Sequence, residues 1–570
     1  MKDRLVLCGA LLTLSSLMLG CSSSGGSGGS EIFSVANPYA PLDSQRTSEV
    51  QVNTLRVFGD SYSADTSSRG RTWSAFLVEK GVANQREVYA VGGASAAVNG
   101  GSTSQSFLRQ AQTWENRGAP IQAGDLTAVY FGYNDIWRTG SSDNLAAAKT
   151  GFAAGLNTLI GNGAATQDQR IFLTQIHDWS KNPGVEPIAQ GDVLSWNAHI
   201  AQVANSSPNL IAVDLYTVFE RVYQNPEQFG FTNVTDANPA RAGVDYLYHD
   251  VRHFGTKGQA LIARVYEHYL TRGWDWANSL NAGASASRRL AADVNSGLLN
   301  LSLTAESPTY SGLTVRAIDV APLAQKDASD IQLEMTHSGS LLAYGVSLLA
   351  ESRDANSAAL VADGLTAHLR NTLASGTRAV TLFSMVDHDH TALTNDFLTD
   401  DVVRNRFSGS SVSLQQTFLH PLVFGNFALV PWLSLDHAQH SLNAATLRSP
   451  YTSDARFSAT DYSELLGGAG VEAKFSELNL QRLGRLDLSG SLGFWQELWS
   501  HNPEVQITES ALPGVVQRET IRSPSMQTTR LGLGAKLQLD PQTALELDLV
   551  LQNEPSGSQE FFGLSAIRRF

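Results

Sequence analysis

After Cys21 the chain contains no cysteine; the only two, Cys8 and Cys21, lie at its N-terminal end. That excludes an intrachain disulfide and a cysteine-ligated metal site from everything downstream. Charge is also scarce. Asp, Glu, Lys and Arg make up 16% of the residues, against 42% apolar. The formal net charge is -14, so the chain lacks the basic balance of a dedicated nucleic-acid binder. The apolar stretch Leu5 to Leu19 is too short and too mixed for a spanning helix. What the chain does have is length: 570 residues exceed one ordinary core, so at least two domains are expected.

Residues 1–21 read as a bacterial export signal, with Lys2 and Arg4 ahead of the apolar stretch. It ends Leu17-Met18-Leu19-Gly20-Cys21. This resembles a lipoprotein box, with Met18 where that pattern has Leu, and implies that Cys21 is lipidated. The segment 22–50 begins SSSGGSGGS, a tether that cannot bury a core.

Residues 51–272 read as α/β. Strand-like apolar runs fall at Leu55–Phe58, Val88–Val91, Leu126–Phe131, Ile171–Thr174 and Leu210–Asp214. Helical patterns lie between them, at Trp73–Lys80, Leu145–Ile160 and Val193–Ala204. Alternation of this kind predicts a parallel sheet with helices on both faces. Its ligand would sit at the carboxyl ends of the strands. Residues 273–299 are rich in Ala, Ser and Asn and carry Arg288-Arg289, a slim helix suited to a polar, confined place. From 300 to 570 the period becomes two, as in Leu486 to Trp495 and Arg530 to Leu539. One apolar and one polar face per strand fits a membrane β-barrel or a soluble β-sandwich. At about 20 residues per strand and turn, a barrel here would have about 12 strands. Phe570 closes the last apparent strand, with Arg568 two residues before it on the same face.

Four short segments carry the chemistry. Val57-Phe58-Gly59-Asp60-Ser61 ends a strand and presents a serine, which becomes a nucleophile only with a base in reach. Gly92-Gly93-Ala94 lets a backbone N–H approach a ligand. Gly132-Tyr133-Asn134-Asp135 presents a neutral side-chain donor. Asp250-Val251-Arg252-His253 spaces a carboxylate and an imidazole so that one turn can join them. His249 is a competing histidine without that spacing. Asp387-His388-Asp389-His390 invites a metal, but it reads better as a polar loop at a barrel rim. No metal and no cofactor is assigned.

Together and in this order, the four segments resemble the SGNH or GDSL hydrolase family of esterases and lipases. Tyr62 replaces the Leu of that family's name, and Phe254-Gly255 replaces its usual Pro-Thr. The resemblance implies a flavodoxin-like α/β fold with Ser61, Asp250 and His253 catalytic. It also implies an oxyanion hole of Ser61, Gly93 (Gly92 being the alternative) and Asn134.

The whole chain resembles the esterase autotransporters of Gram-negative outer membranes. That likeness implies a transmembrane barrel with the 273–299 helix inside, assembled by barrel-assembly machinery. It also implies a serine esterase or lipase at the cell surface, acting on carboxylic, fatty-acyl esters. Two rivals stay open: a secreted carbohydrate O-acetyl esterase with a soluble β-sandwich, and a surface adhesin whose hydrolase fold is idle.

Overall fold

The computed structural model describes residues 52–270 and 310–569, apart from short breaks. Cys21, the tether 22–50, the segment 273–299 and Phe570 lie outside the described residues.

In the first half, strands alternate with helices. They are β1 (Val52–Gly59), α1 (Trp73–Glu79), β2 (Ala83–Val88), α2 (Phe107–Glu115), β3 (Leu126–Tyr130) and α3 (Tyr133–Trp137). Then follow α4 (Ser142–Gly161), β4 (Arg170–Gln175), α5 (Ala189–Ser206), β5 (Leu210–Asp214), α6 (Leu215–Gln224) and α7 (256–270). Among the described residues, five strands of this half form one parallel sheet in the order β2-β1-β3-β4-β5, and Asn233–Ala237 and Tyr246–Tyr248 form a separate two-stranded one. β3 and β5 are buried at every position, because helices cover both sides of the sheet and no face is left for alternation. On one side Trp73 of α1 stacks on Tyr266 of α7, ring centroids 4.1 Å apart. On the other, Phe152 of α4 packs on Phe107 of α2 and Trp196 of α5. This is the flavodoxin-like strand order, whose switch point lies between β1 and β3.

The expected run Val88–Val91 marks the wrong part of its strand. β2 is an edge strand and is polar over Asn84 to Glu87, so hydrophobicity singles out only its continuation. That continuation does stay on β1: Tyr89 N–H bonds Val57 O and Val91 N–H bonds Gly59 O.

Among the described residues, the second half forms an antiparallel sheet of thirteen strands, from Tyr310–Asp319 to Gly557–Arg569. Val402–Leu419 pairs with Phe427–Leu442, and the last strand pairs with the first. Among the described residues, the three-residue strand Leu422–Phe424 pairs with Phe427–Leu442 alone. The faces of this sheet are inverted relative to a soluble protein. Phe383, Met385, Leu414, Phe418, Leu433 and Leu435 are exposed, at 41% to 64%. Ser384, Ser413, Gln415, Thr417, Ser434 and Asp436, which alternate with them, are buried. A soluble sandwich buries its apolar face; an outward apolar face around a polar interior suits lipid outside.

Asp387 to His390 is not a loop. It lies inside the strand Arg378–Asn395, where the inward face accepts polar residues that a soluble core would reject. Asp387 is exposed and His388 buried. Neighbours on opposite faces of a strand do not converge on one ion.

Two of the connections between long strands carry a further sheet of four short strands. Its order is Ala445–Leu447, Ala455–Phe457, Glu504–Glu509 and Val516–Thr520. The last of these meets the free edge of β5. Asn209 N–H bonds Arg518 O at 2.9 Å, and Ala212 N–H bonds the Gln517 Oε1 at 3.2 Å. Tyr269 of α7 donates to Glu509 Oε2 at 3.1 Å, and Leu512 is buried within the core of the α/β domain. The edge N–H of Ala212 is thus paired by this sheet and that of Asp214 by the Tyr269 hydroxyl, which blunts an otherwise open strand.

Candidate active site

The end of β1 is fixed before the serine is presented. The Gln110 side chain holds both polar groups of Gly59, accepting its N–H at 3.0 Å and donating to its carbonyl at 2.9 Å. A Cβ at Gly59 would lie 2.8 Å from the Tyr130 carbonyl on β3, so only glycine lets the two strands run this close. The chain then turns tightly. Asp60 O accepts the N–H groups of Ser63 and Ala64, and its carboxylate accepts Tyr62 N–H at 3.0 Å. Ser61 is left half-buried at the tip, at the switch point of the sheet.

The glycine segment and the asparagine segment are tied to each other. Gly93 has φ +76°, a left-handed turn that an L side chain would strain. Asn134 Nδ2 donates to Ala94 O at 2.8 Å. Asp135 accepts the N–H groups of Ala96 and Ala97 at 2.8 and 2.9 Å. Gly132, at φ +137°, faces the Trp196 indole, which a Cβ would approach to 2.5 Å. The Asn134 amide has two N–H bonds, so the one spent on Ala94 leaves a second for a ligand.

The structure brings Ser61, His253 and Asp250 together. His253 Nε2 lies 2.9 Å from Ser61 Oγ, and Nδ1 lies 2.9 and 3.0 Å from the two Asp250 oxygens. Asp250 Oδ1 also accepts the N–H groups of Arg252 and His253, each at 2.9 Å. It is the ring of His253, not of His249, that meets the serine; His249 bonds the His253 carbonyl through its backbone N–H. Partial burial pushes the Asp250 carboxyl up. The Arg252 N–H bond and the neighbouring His253 outweigh that and hold it below the ordinary value. An ionised Asp250 fixes the tautomer: Nδ1 donates, and Nε2 is left to accept the serine proton. A hydroxyl, imidazole and carboxylate in this sequence can form and break an acyl ester.

Asp60 is a carboxyl of a different kind. It is fully buried, and its Oδ2 has no hydrogen-bond partner among the described residues. Burial pushes it up to about 8, against the Tyr62 N–H bond and reinforced by Asp135. The folded chain therefore keeps a proton that the unfolded chain releases near 3.8. Its contribution to stability is complete below about pH 4 and declines as pH rises toward about 8. Asp60→Asn removes that slope. The thermal midpoint of the variant, read by tryptophan fluorescence on the detergent-solubilised chain, should gain on the wild type as pH rises from about 4 to about 8. Parallel curves would contradict the buried neutral carboxyl.

Two parts of the site had no signal in the sequence. The Gln110 clamp is 51 residues from Gly59. The partners of buried Tyr62 come from three other segments of the chain.

Comparison with known proteins gives two family matches. The GDSL-like Lipase/Acylhydrolase family matches residues 57–261, and the Autotransporter beta-domain family matches residues 330–549. The search of curated proteins finds no match for this chain. Among solved structures, the chain is similar to the translocator domain of autotransporter NalP from Neisseria meningitidis. That likeness has 12% identity and a TM-score of 0.39, over 51% of this chain and 98% of that one. It is similar to Axe2, an acetylxylan esterase from Geobacillus stearothermophilus, with 16% identity and a TM-score of 0.27, over 39% of this chain and 95% of that one. A putative GDSL-like lipase from Parabacteroides merdae has 15% identity and a TM-score of 0.26, over 39% of this chain and 98% of that one.

Proposed function

We propose that this chain, which joins a GDSL-like lipase/acylhydrolase domain to an autotransporter beta-domain, is a serine esterase displayed at the surface of a Gram-negative outer membrane. The observation that carries the esterase reading is the contact of Ser61 Oγ with His253 Nε2 at 2.9 Å, with Asp250 on the other ring nitrogen.

In this reading His253 takes the Ser61 proton as Oγ attacks an ester carbonyl. Asp250 stabilises the imidazolium that results. The oxyanion is held by the N–H groups of Ser61 and Gly93 and by the Asn134 side chain. His253 then protonates the leaving alcohol, and water repeats the cycle on the acyl-serine. The substrates are carboxylic esters, fatty-acyl esters among them, and the reaction calls on no cofactor.

The outer-membrane reading draws on the inverted faces of the second sheet and on the pairing of its last strand with its first. Twelve long strands then close into a transmembrane barrel, delivered by barrel-assembly machinery, with residues 273–299 in its lumen. Cys21 becomes a lipidated residue ahead of the tether 22–50. The barrel should show heat-dependent gel mobility: the unheated chain migrates faster than the boiled one. Equal mobility before and after boiling would favour a soluble sandwich instead.

A further inference from the structure

The two departures from the family's pattern, Tyr62 and Phe254-Gly255, lie against each other. Tyr62 is buried, and its ring meets Phe254 edge-on at 5.4 Å and His253 at 5.7 Å. Its hydroxyl donates to the carbonyl of Arg252 at 2.6 Å. Asn182 donates from Nδ2 to the same carbonyl at 2.8 Å. That carbonyl belongs to the peptide group whose N–H, on His253, is held by Asp250 at 2.9 Å. The peptide plane directly ahead of the imidazole is therefore gripped at both its polar ends.

The grip is itself oriented. Asn182 Oδ1 accepts from the Tyr248 hydroxyl at 3.1 Å and from His177 Nε2 at 2.8 Å. With Oδ1 so engaged, Nδ2 must face Arg252. Burial pushes the His177 ring down to about 3, so it is neutral and Nε2 carries its one proton. Nδ1 then accepts from Tyr133, 2.6 Å away. A proline at 254 would fix its own φ; Phe254 does not. Gly255 has no room for a larger residue, since a Cβ there would lie 2.3 Å from Ala242.

We propose that Tyr62 and Asn182 are positioning residues for His253: together they clamp the Arg252 carbonyl and keep the imidazole in line between Asp250 and Ser61. The clamp acts on the peptide plane ahead of His253, on the opposite side from the bond that a proline at 254 would constrain. It rests on the reading of Ser61, His253 and Asp250 as the catalytic groups.

The test uses the full chain in outer membranes, with p-nitrophenyl butyrate as the probe ester. Rates are expressed per site labelled by a fluorophosphonate, so that misfolded chains are not counted. Tyr62→Phe removes one hydroxyl and keeps the ring. It should lower kcat about tenfold or more, because small misplacements of a catalytic group are costly, while KM stays within about twofold. Asn182→Ala should do the same. The split is the informative readout, since a merely structural role would reduce the number of labelled sites and leave kcat per site intact. Unchanged kcat per site in both variants overturns the clamp. Hydrolysis that survives Ser61→Ala would overturn the catalytic reading, and the clamp with it. Loss in Ser61→Ala with Tyr62→Phe and Asn182→Ala untouched removes the clamp alone.

Discussion

Ser61→Ala is expected to abolish ester hydrolysis, and His253→Ala to follow it to nearly the same floor. The two groups act as one unit: Oγ is not a nucleophile without Nε2 to take its proton, and Nε2 has no other task in the first step. Losing either one removes the whole acylation route, a loss of about a millionfold in kcat where such a unit has been taken apart. Asp250→Asn leaves both in place but removes the charge that sets the tautomer, and a loss of about ten-thousandfold is expected. All three variants keep the buried core around β1 and β3, because Ser61, Asp250 and His253 are each only partly buried. Steady-state kinetics on purified outer membranes distinguishes the ranks. A His253→Ala variant that retains more than about a hundredth of the wild-type kcat would remove it from the base's role.

Asn134→Ala is the next largest effect. The Asn134 side chain has one N–H on Ala94 O at 2.8 Å, and in the proposed mechanism its second N–H meets the developing oxyanion. Such a donor is worth about a hundredfold to a thousandfold in kcat, and little in ground-state binding. The prediction is a fall of at least about a hundredfold in kcat with KM nearly constant. Losing the bond to Ala94 also loosens the turn at Gly93. Asp135 still holds Ala96 and Ala97, so the turn is not released altogether. A kcat unchanged in Asn134→Ala would take this residue out of the oxyanion hole.

What could be read in the sequence follows the distance over which each feature is determined. Strands buried on both sides, such as Leu126–Tyr130 and Leu210–Asp214, are continuous apolar runs and stand out. The pairing of Asp250 with His253 is legible because it is local: three residues apart, closed by an Asx-type turn on Asp250 Oδ1. The meeting of Ser61 with His253 spans 192 positions, and only the order of the four segments pointed to it. Nothing local announces Asn182, which reaches Tyr62 across 120 positions. Alternation revealed that the strands of the second half have unlike faces, but period two carries no information on which face is outside. That is why the period alone fits both a barrel and a sandwich, and why exposed Leu433 beside buried Ser434 adds what the pattern lacks. The four-stranded sheet against β5 was invisible for another reason: two of its strands have only three residues, too short for any period.

Ser61 is proposed here as the nucleophile of an esterase that faces outward from the cell. Intact cells producing the chain are treated with a membrane-impermeant fluorophosphonate, and labelling is compared between wild type and Ser61→Ala. A labelled band is expected in the wild type, absent in Ser61→Ala, and lost when the cells are first treated with an external protease. Labelling that persists in Ser61→Ala, or that arises only after the cells are broken open, would contradict it.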